Sequence, residues 1–411
     1  MLFSILLVLA TISEAVVQPK QVHLSLNGHA HQMVVTWHTN EQACKETQHV
    51  VYGTNPSQLG MTAKASMTEW KGGLKRYTFR ATLTDLEKGC KYYYKVGSSE
   101  GFSDIFFFTQ PDGNKPLRAA IFGDLSIYKG YSIKPLIYGT QKNQFDVVFH
   151  IGDIAYDLHD DDGKVGDEFM EAIEPIAAHV PYMVLPGNHE TRYEYSHIIN
   201  RYTMPKNGVY DNNLFWSLNY GNTHIIALNT EYYAEGKEKE AKAQYEWLKK
   251  DLENMKAKWT IVLVHRPLYC STQSKHGCDD PQDTLPRKGN ALFPGIEKLL
   301  YDHHVDLVFY GHKHTYERMW PMYNGDPHIS NNPNHIINPK APAYILVGSA
   351  GCHTHLGPQD SIPQPFSITR LGNYGYTVIQ VFNSTHLRTH FVDASDDIGN
   401  RMDRFYIEKH Y

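Results

Sequence analysis

The sequence predicts two folded domains in series, an antiparallel β-sandwich followed by an α/β domain. Residues 20–110 alternate apolar and polar side chains over short runs, as the half-buried strands of a sandwich do. From residue 117 onward, continuous apolar runs alternate with helical stretches, which is typical of strands covered on both faces. Between these two patterns, residues 111–116 have the Pro- and Gly-containing composition of a linker.

In the first domain, the clearest strand patterns cover residues 22–26, 33–37 and 92–96. In the second domain, apolar runs predict strands at residues 119–122, 147–149, 182–185, 225–228, 260–264, 307–310 and 344–347. Helices are predicted at residues 163–178, 241–256 and 293–304, and the second of these places Tyr245, Leu248, Leu252 and Met255 on one face. Residues 331–342 are polar and Pro-rich, which indicates a loop.

The composition excludes some classes of partner. The chain has 411 residues, enough for two or three domains, and its hydrophobic content of 41% is that of a globular protein. A net charge of −5 gives no reason to expect nucleic acid as a partner. No run of about 18 apolar residues is present, which argues against a membrane span.

Residues 1–15 are predicted to be a signal peptide. Residues 2–12 form an apolar run of suitable length, and residues 13–15 supply small side chains at the cleavage positions; the alternative is a buried N-terminal strand. We therefore expect a secreted protein, located outside the cell or in the endolysosomal lumen. A glycosylation sequon at Asn383 fits the same compartment.

Five cysteines also fit an oxidising compartment. Cys270 and Cys278 enclose a short loop and are candidates for one disulfide. Cys44 and Cys90 both fall in the first domain and are candidates for a second, which leaves Cys352 unpaired. The alternative is five free thiols.

Five of the predicted strands in the second domain end in side chains that can bind a metal ion. In chain order these are Asp124, then Asp153 with Tyr156, then Asn188, then His265, and finally His312 with His314. Each piece alone has a simpler explanation, such as a turn, a packed tyrosine, a helix cap or surface histidines. Because ligands collect at the carboxyl ends of strands in α/β sheets, five such pieces in order predict one metal site.

On these motifs the sequence resembles the purple acid phosphatases, a family of the calcineurin-like metallophosphoesterases. Residues 21–25 are similar to the opening strand of that family, residues 311–318 to its last signature block, and residues 374–377 to its C-terminal segment. The resemblance implies a fibronectin type III-like β-sandwich at residues 16–112. It also implies a layered αββα metallophosphoesterase domain at residues 113–411, including a C-terminal family segment at about 341–405.

The resemblance further implies a scheme of ligands for two metal ions. One ion would be held by Asp124, Tyr156 and His314, and the other by Asn188, His265 and His312, with Asp153 bridging both. A phenolate favours a trivalent ion, and imidazole suits a divalent one, so Fe(III) plus Zn, Fe or Mn is expected. The first motif departs from the family pattern Gly-Asp-x-Gly at Ser126, which predicts an altered loop but an intact Asp124.

The function implied is that of an acid phosphatase that hydrolyses phosphate monoesters with a metal-bound hydroxide. His189 is the family-matched candidate for protonating the leaving group, and its alternative role is a structural hydrogen bond that orients Asn188. His276 is a second candidate for the acid.

Two other functions stay open. The same centre could act on phosphodiesters or nucleotide pyrophosphates, although related diesterases generally lack the equivalent of Tyr156. A non-catalytic interaction protein is disfavoured because all seven ligand residues are present. Small phosphorylated substrates are the expected partners, and a homodimer is left open.

Overall fold

The computed structural model describes residues 18–40, 46–70, 75–272, 278–352, 354–357 and 362–410. The predicted signal peptide at residues 1–15, together with Cys44 and His276, lies outside the described residues. None of the described helices has the length and apolar character that crossing a bilayer requires.

The described N-terminal residues form a β-sandwich, as the alternating pattern predicts. Its strands are β1 Lys20–Ser25, β2 Met33–Asn40, β3 His49–Gly53, β4 Met61–Lys64, β5 Ser66–Trp70, β6 Arg76–Leu83, β7 Lys91–Ser98, β8 Gly101–Phe102 and β9 Phe106–Thr109. One sheet has the order β1-β2-β6-β5, and the other has the order β4-β3-β7-β8, with β9 also paired to β7. Trp37 and Phe79 stack in the core with ring centroids 5.6 Å apart.

The second domain contains two large sheets. Its first strands are β10 Leu117–Phe122, β11 Leu125–Ser126, β12 Val147–Ile151, β13 Ile154–Ala155, β14 Tyr182–Leu185, β15 Trp216–Tyr220, β16 Thr223–Ala227, β17 Trp259–Leu263 and β18 Leu307–Tyr310. They are followed by β19 Tyr316–Met319, β20 Met322–Tyr323, β21 Asp326–Pro327, β22 His335–Ile337, β23 Ala343–Val347, β24 Ser367–Leu371, β25 Gly375–Val381, β26 His386–Asp393 and β27 Asn400–Glu408. The sheet orders are β14-β12-β10-β25-β26-β27-β22 and β15-β16-β17-β18-β23-β19-β24.

The helices of this domain are α1 Ile133–Gln141, α2 Asp160–Ala177, α3 Ser196–Arg201, α4 Glu231–Ala234, α5 Glu238–Asn254, α6 Pro281–Lys288 and α7 Glu297–Asp302, with a 3₁₀ turn at Asn188–Glu190. The two sheets pack on each other, and Phe149 of β12 stacks on Trp216 of β15 with ring centroids 6.3 Å apart. Sheet on sheet with flanking helices is the layered αββα arrangement.

Three predicted elements differ from those observed. The helix predicted at residues 293–304 begins only at Glu297, because Pro294 is engaged in a β-bridge with Gly289. The loop predicted at residues 331–342 contains strand β22, which pairs in parallel with β27. On helix α5, Leu248 and Leu252 are buried as predicted, but Gln244 is buried too, because its side chain bonds the backbone of Asn229.

Candidate metal centre

The predicted ligands come from the strand ends of both sheets. Strands β10, β12 and β14 are parallel neighbours in one sheet, and β17 and β18 are parallel neighbours in the other. The sheets are joined at this edge, because Nδ1 of His265 bonds the carbonyl oxygen of Ile151 at 2.9 Å. The backbone N–H of His312 also donates to Oδ2 of Asp124 at 2.8 Å. Ligand residues from both sheets therefore meet in one place.

The backbone at the ligands is unusual. Asp124, Asp153, Tyr156 and His312 have φ values of 65°, 53°, 51° and 69°, in the left-handed region that residues with a Cβ rarely occupy. Such conformations persist only where the surrounding structure imposes them, and they concentrate at functional sites. The fold therefore holds these four ligand side chains in place at a conformational cost.

Two glycines allow the carboxylates to pack against the backbone. A Cβ at Gly187 would overlap Oδ1 of Asp153, and a Cβ at Gly311 would overlap Oδ2 of Asp124. Only glycine fits at such close approaches. Gly187 and Gly311 thus shape the site.

The first ligand set gathers around Asp124. Oxygen and nitrogen atoms of Asp124, Asp153 and His314 lie within 4.8 Å of one another. The hydroxyl of Tyr156 donates to Oδ1 of Asp124 at 2.9 Å and lies 2.9 Å from Nε2 of His314. Nε2 of His314 is itself 3.4 Å from Oδ1 of Asp124. These are the residues that the sequence predicts for one ion.

The second ligand set shares Asp153 with the first. Donor atoms of Asp153, His265 and His312 lie within 4.8 Å of one another. Nε2 of His265 lies 3.2 Å from Oδ1 of Asp153 and 3.2 Å from Oδ1 of Asn188. All seven predicted ligand residues thus lie in two overlapping groups, and Asp153 belongs to both.

The spacing of these atoms fits bound metal ions. Ligand atoms about 2.1 Å from a shared ion lie roughly 3.0 Å apart in octahedral coordination and roughly 3.4 Å apart in tetrahedral coordination. The observed separations of 2.9 Å to 3.4 Å are close to those values. The donor set of carboxylates, imidazoles, an amide oxygen and a phenol suits iron, zinc or manganese.

The charges of the two ligand sets, together called the ligand group, also favour the binding of cations. Burial lowers the pKa of His265, but Asp153 and the other nearby carboxylates raise it to about 10. Burial also lowers the pKa of His314, but Asp124 and the Cys352 thiol raise it to about 10. Burial, with Asp124 and Asp153 nearby, raises the pKa of Tyr156 well above its ordinary value. The group therefore attracts positive charge, and a phenolate at Tyr156 requires added positive charge beside it.

The ligand side chains have partners that the sequence analysis did not identify. Glu190 accepts hydrogen bonds from the backbone N–H groups of Asp153, Ile154 and Gly187, at 2.8 Å to 2.9 Å. Its position directly after the Asn188-His189 pair is a sequence signal that could have identified it. Thr354 is different: its hydroxyl lies 2.8 Å from Nδ1 of His314, 40 positions away in the chain, and no local pattern predicts that contact.

His189 lies beside the ligand group with its ring partly exposed. Its Nδ1 is 2.5 Å from Oδ1 of Asp157, and its Nε2 is 3.9 Å from Oδ2 of Asp153. Its ring packs against that of Tyr156, with centroids 4.5 Å apart. The hydrogen bond on Nδ1 is made with Asp157 rather than with Asn188, which was the structural alternative considered for this residue.

The remaining predicted positions fall elsewhere. Ser126 lies in strand β11, which pairs with β13. Asp124 still lies with Asp153 and His314, so the serine in the first motif does not displace that carboxylate. Cys270 and Cys278 form a disulfide, and Cys352 is a buried free thiol. Cys90 is a free thiol near Glu87, which does not support the predicted bridge to Cys44, a residue outside the described ranges.

The second domain has two packed sheets, and their strand ends place one carboxylate, Asp153, in two ligand sets. This domain, preceded by a β-sandwich, defines the class of calcineurin-like metallophosphoesterases. Family models match in series: "Purple acid Phosphatase, N-terminal domain" at residues 19–110, "Calcineurin-like phosphoesterase" at residues 117–316, and "Iron/zinc purple acid phosphatase-like protein C" at residues 341–403. The chain belongs to the purple acid phosphatase family, and it is a metal-dependent acid phosphatase.

Individual relatives agree with this assignment. The chain is 38% identical to mouse acid phosphatase type 7, over 94% of this chain and 90% of that protein. It is 37% identical to the zebrafish (Danio rerio) protein of the same name, over 96% of this chain and 92% of the relative. Purple acid phosphatase PPD1 from yellow lupin seeds has the same fold, with a TM-score of 0.82 at 23% identity, over 96% of this chain and 75% of that one.

Proposed function

We propose that this chain is a secreted enzyme that hydrolyses phosphate monoesters at a centre of Fe(III) and one divalent ion, Zn, Fe or Mn. In this proposal Asp124, Tyr156 and His314 hold the first ion, and Asn188, His265 and His312 hold the second. Asp153 bridges the two. The observation that carries the proposal is the Tyr156 hydroxyl, 2.9 Å from both Asp124 and His314. A phenol in that position is suited to a trivalent ion.

When bound, the two ions supply Lewis-acid activation of water and positive charge opposite the phosphate. The protein's own residues provide orientation. Glu190 fixes the backbone of the Asp153 loop through hydrogen bonds to the N–H groups of Asp153 and Ile154. The N–H of His189 donates to Oδ1 of Asp153 at 3.1 Å, which orients the shared carboxylate. The site is therefore built before substrate arrives.

His189 is the proposed proton donor to the leaving oxygen. Asp157 accepts the hydrogen bond from Nδ1, so the ring is held with Nε2 on the side of Asp153 and the ligand group. The ring is partly exposed, so a substrate oxygen can reach it. Proton donation to the leaving group typically contributes 10²–10⁴-fold in rate, roughly. His276 remains a second candidate for this role.

Secretion and glycosylation are part of the proposal. Asn383 is exposed in the turn between β25 and β26, so its side chain is accessible for the attachment of a glycan. The disulfide between Cys270 and Cys278 also suits an oxidising compartment. These features and the predicted signal peptide support a secreted or endolysosomal glycoprotein.

The test combines metal analysis with activity. Purified full-length protein should contain two metal ions per chain, at least one of them iron, and should hydrolyse p-nitrophenyl phosphate faster than bis(p-nitrophenyl) phosphate below pH 7. The Tyr156→Phe variant should lose the visible charge-transfer band while still folding. A preference for the diester would favour the phosphodiesterase alternative. One ion or none in the wild type, or colour that survives in Tyr156→Phe, would contradict the proposed centre.

A further inference from the structure

Asp283 is a buried carboxylate beside the ligand group that the proposed function does not use. It lies in helix α6, and its side chain is 2% exposed. Its Oδ1 lies 3.2 Å from Nε2 of His312 and 2.6 Å from a guanidinium nitrogen of Arg266. Its Oδ2 lies 2.5 Å from Nζ of Lys313. One carboxylate thus meets an imidazole and two cations.

The charges around Asp283 are balanced. Arg266 also pairs with the buried carboxylate of Glu231 at 2.8 Å, so the cations Arg266 and Lys313 face the anions Glu231 and Asp283. A compensated carboxylate is stable when buried, whereas removal of one partner leaves an uncompensated charge. The two cations also occupy both oxygens of Asp283, which keeps that carboxylate from turning into the ligand group.

The hydrogen bond determines which nitrogen of His312 is free. A neutral imidazole carries one N–H and one lone pair, and a carboxylate accepts only from an N–H. Because Nε2 of His312 faces Oδ1 of Asp283, the proton belongs on Nε2 and the lone pair on Nδ1. A carboxylate in this position also raises the basicity of a ligating imidazole.

The other two ligand histidines are oriented by neutral groups. On the nitrogen opposite the ligand group, His265 meets the carbonyl oxygen of Ile151, and His314 meets the hydroxyl of Thr354. His312 meets a carboxylate there instead. Loss of the charge on Asp283 should therefore act on the ion that His312 holds and spare the ion that His314 holds.

We propose that Asp283 is a positioning residue for the second metal site, which holds His312 as the Nε2–H tautomer with Nδ1 directed to the ion. The inference rests on the proposed ligand scheme, since it assumes that His312 binds the second ion. Arg266 and Lys313 have the supporting role of keeping the Asp283 carboxylate in that geometry.

The test measures metal affinity rather than turnover. Full-length Asp283→Asn protein, stripped of its divalent ion, is titrated with Zn²⁺ in competition with a chromophoric chelator. We expect binding of the divalent ion to weaken by about 10–100-fold, with iron content and colour unchanged. The matched control is Asp280→Asn in the same segment, because asparagine caps a helix as well as aspartate does, and its Zn²⁺ affinity should equal that of the wild type.

A second variant separates positioning from folding. Asp283→Asn removes the negative charge that pairs with Lys313. The double variant Asp283→Asn/Lys313→Met removes one positive charge as well, so it restores the charge balance without restoring the carboxylate. We expect this double variant to recover thermal stability but not Zn²⁺ affinity. ¹⁵N NMR of the imidazole should show the Nε2–H form of His312 in the wild type and a mixture of tautomers in Asp283→Asn.

The outcomes distinguish the two proposals. If the wild type binds Zn²⁺ tightly beside iron and Asp283→Asn binds it equally well, the role of Asp283 is refuted and the metal centre stands. Loss of iron and zinc together in Asp283→Asn, or recovery of Zn²⁺ affinity in the charge-balanced double variant, also refutes it. If the wild type binds no second ion, the proposed centre itself is wrong.

Discussion

The junction between the two domains offers the sharpest test of how this fold is held together. Asp167 of α2 accepts hydrogen bonds from Arg76 of β6 at 2.6 Å to 3.0 Å and from Arg201 of α3 at 2.7 Å. The side chains of Arg76 and Arg201 are 1% and 0% exposed. Both guanidinium groups also contact the ring of Trp70, with their central carbons 5.1 Å and 4.9 Å from the ring centroid. One carboxylate of the second domain therefore compensates two buried cations, one from each domain.

Asp167→Asn removes that compensation while keeping the shape of the side chain. Removing one partner of a buried ion pair typically costs roughly 3–5 kcal/mol, and this substitution removes the ion pairs of two arginines with one carboxylate. Burial raises the pKa of Asp167, but hydrogen bonds and charges from the two arginines lower it below its ordinary value, so the carboxylate is charged at neutral pH. We therefore expect a loss of about 3–5 kcal/mol in the free energy of unfolding at pH 7.

The assay is urea unfolding followed by tryptophan fluorescence and by far-UV circular dichroism. Because the pair spans the junction, Asp167→Asn should also separate the unfolding of the two domains into two transitions. The matched control is Asp161→Asn at the irregular start of α2, where Asp161 has a φ of 48°. Asp161 pairs with Lys164 at the surface and both side chains are more than half exposed, so stability should be unchanged. A loss in Asp167→Asn no larger than in that control would refute the reasoning.

Three further predictions concern the centre and the pH dependence of stability. Asp153→Ala should lose both metal ions, since Asp153 belongs to both ligand groups, and elemental analysis measures the loss. His312→Ala should lose mainly the divalent ion. Equal losses in the two variants would contradict a bridging role of Asp153. His189→Ala should slow the hydrolysis of alkyl phosphates by about 10²–10⁴-fold. It should slow the hydrolysis of p-nitrophenyl phosphate much less, because a good leaving group needs no proton. Equal effects on both esters would exclude His189 as the acid. Burial, with smaller contributions from nearby groups, lowers the pKa of His23 to about 4. The unfolded chain therefore binds a proton that the folded chain does not, and stability falls as the pH drops from about 6.5 to about 4, by up to ~3 kcal/mol for this residue. His23→Gln should reduce that slope in urea titrations by about one proton, and an unchanged slope would show that His23 is not buried in its neutral form.

The sequence by itself determined the elements whose information is local. Alternation of side chains predicts the sandwich, and continuous apolar runs predict strands β10, β12, β14, β17 and β18. The ligand residues follow those strands directly, so their identity and order could be read without a structure. Charge and ligand chemistry then led to the proposals for the metal ions and for the class of substrate.

Only the tertiary structure decided how the strand ends are distributed. Residues that follow one another as motifs in the chain come from two separate sheets, which meet through contacts such as that between His265 and Ile151. The pairing of β22 with β27 also depends on tertiary structure. Residues 331–342 are mostly polar around the short apolar pair Ile336 and Ile337, and they form a strand beside the edge that β27 offers.

The partners of the ligands and the junction between the domains also depended on the tertiary structure. Asp283 reaches His312 from helix α6, and Arg76 reaches Asp167 from the other domain. A buried charge is stable only where the fold brings an opposite charge and hydrogen-bond partners to it. Such partners are set by distance in space rather than by spacing in the chain. A sequence pattern therefore predicts candidate metal ligands but not the residues that hold those side chains in position.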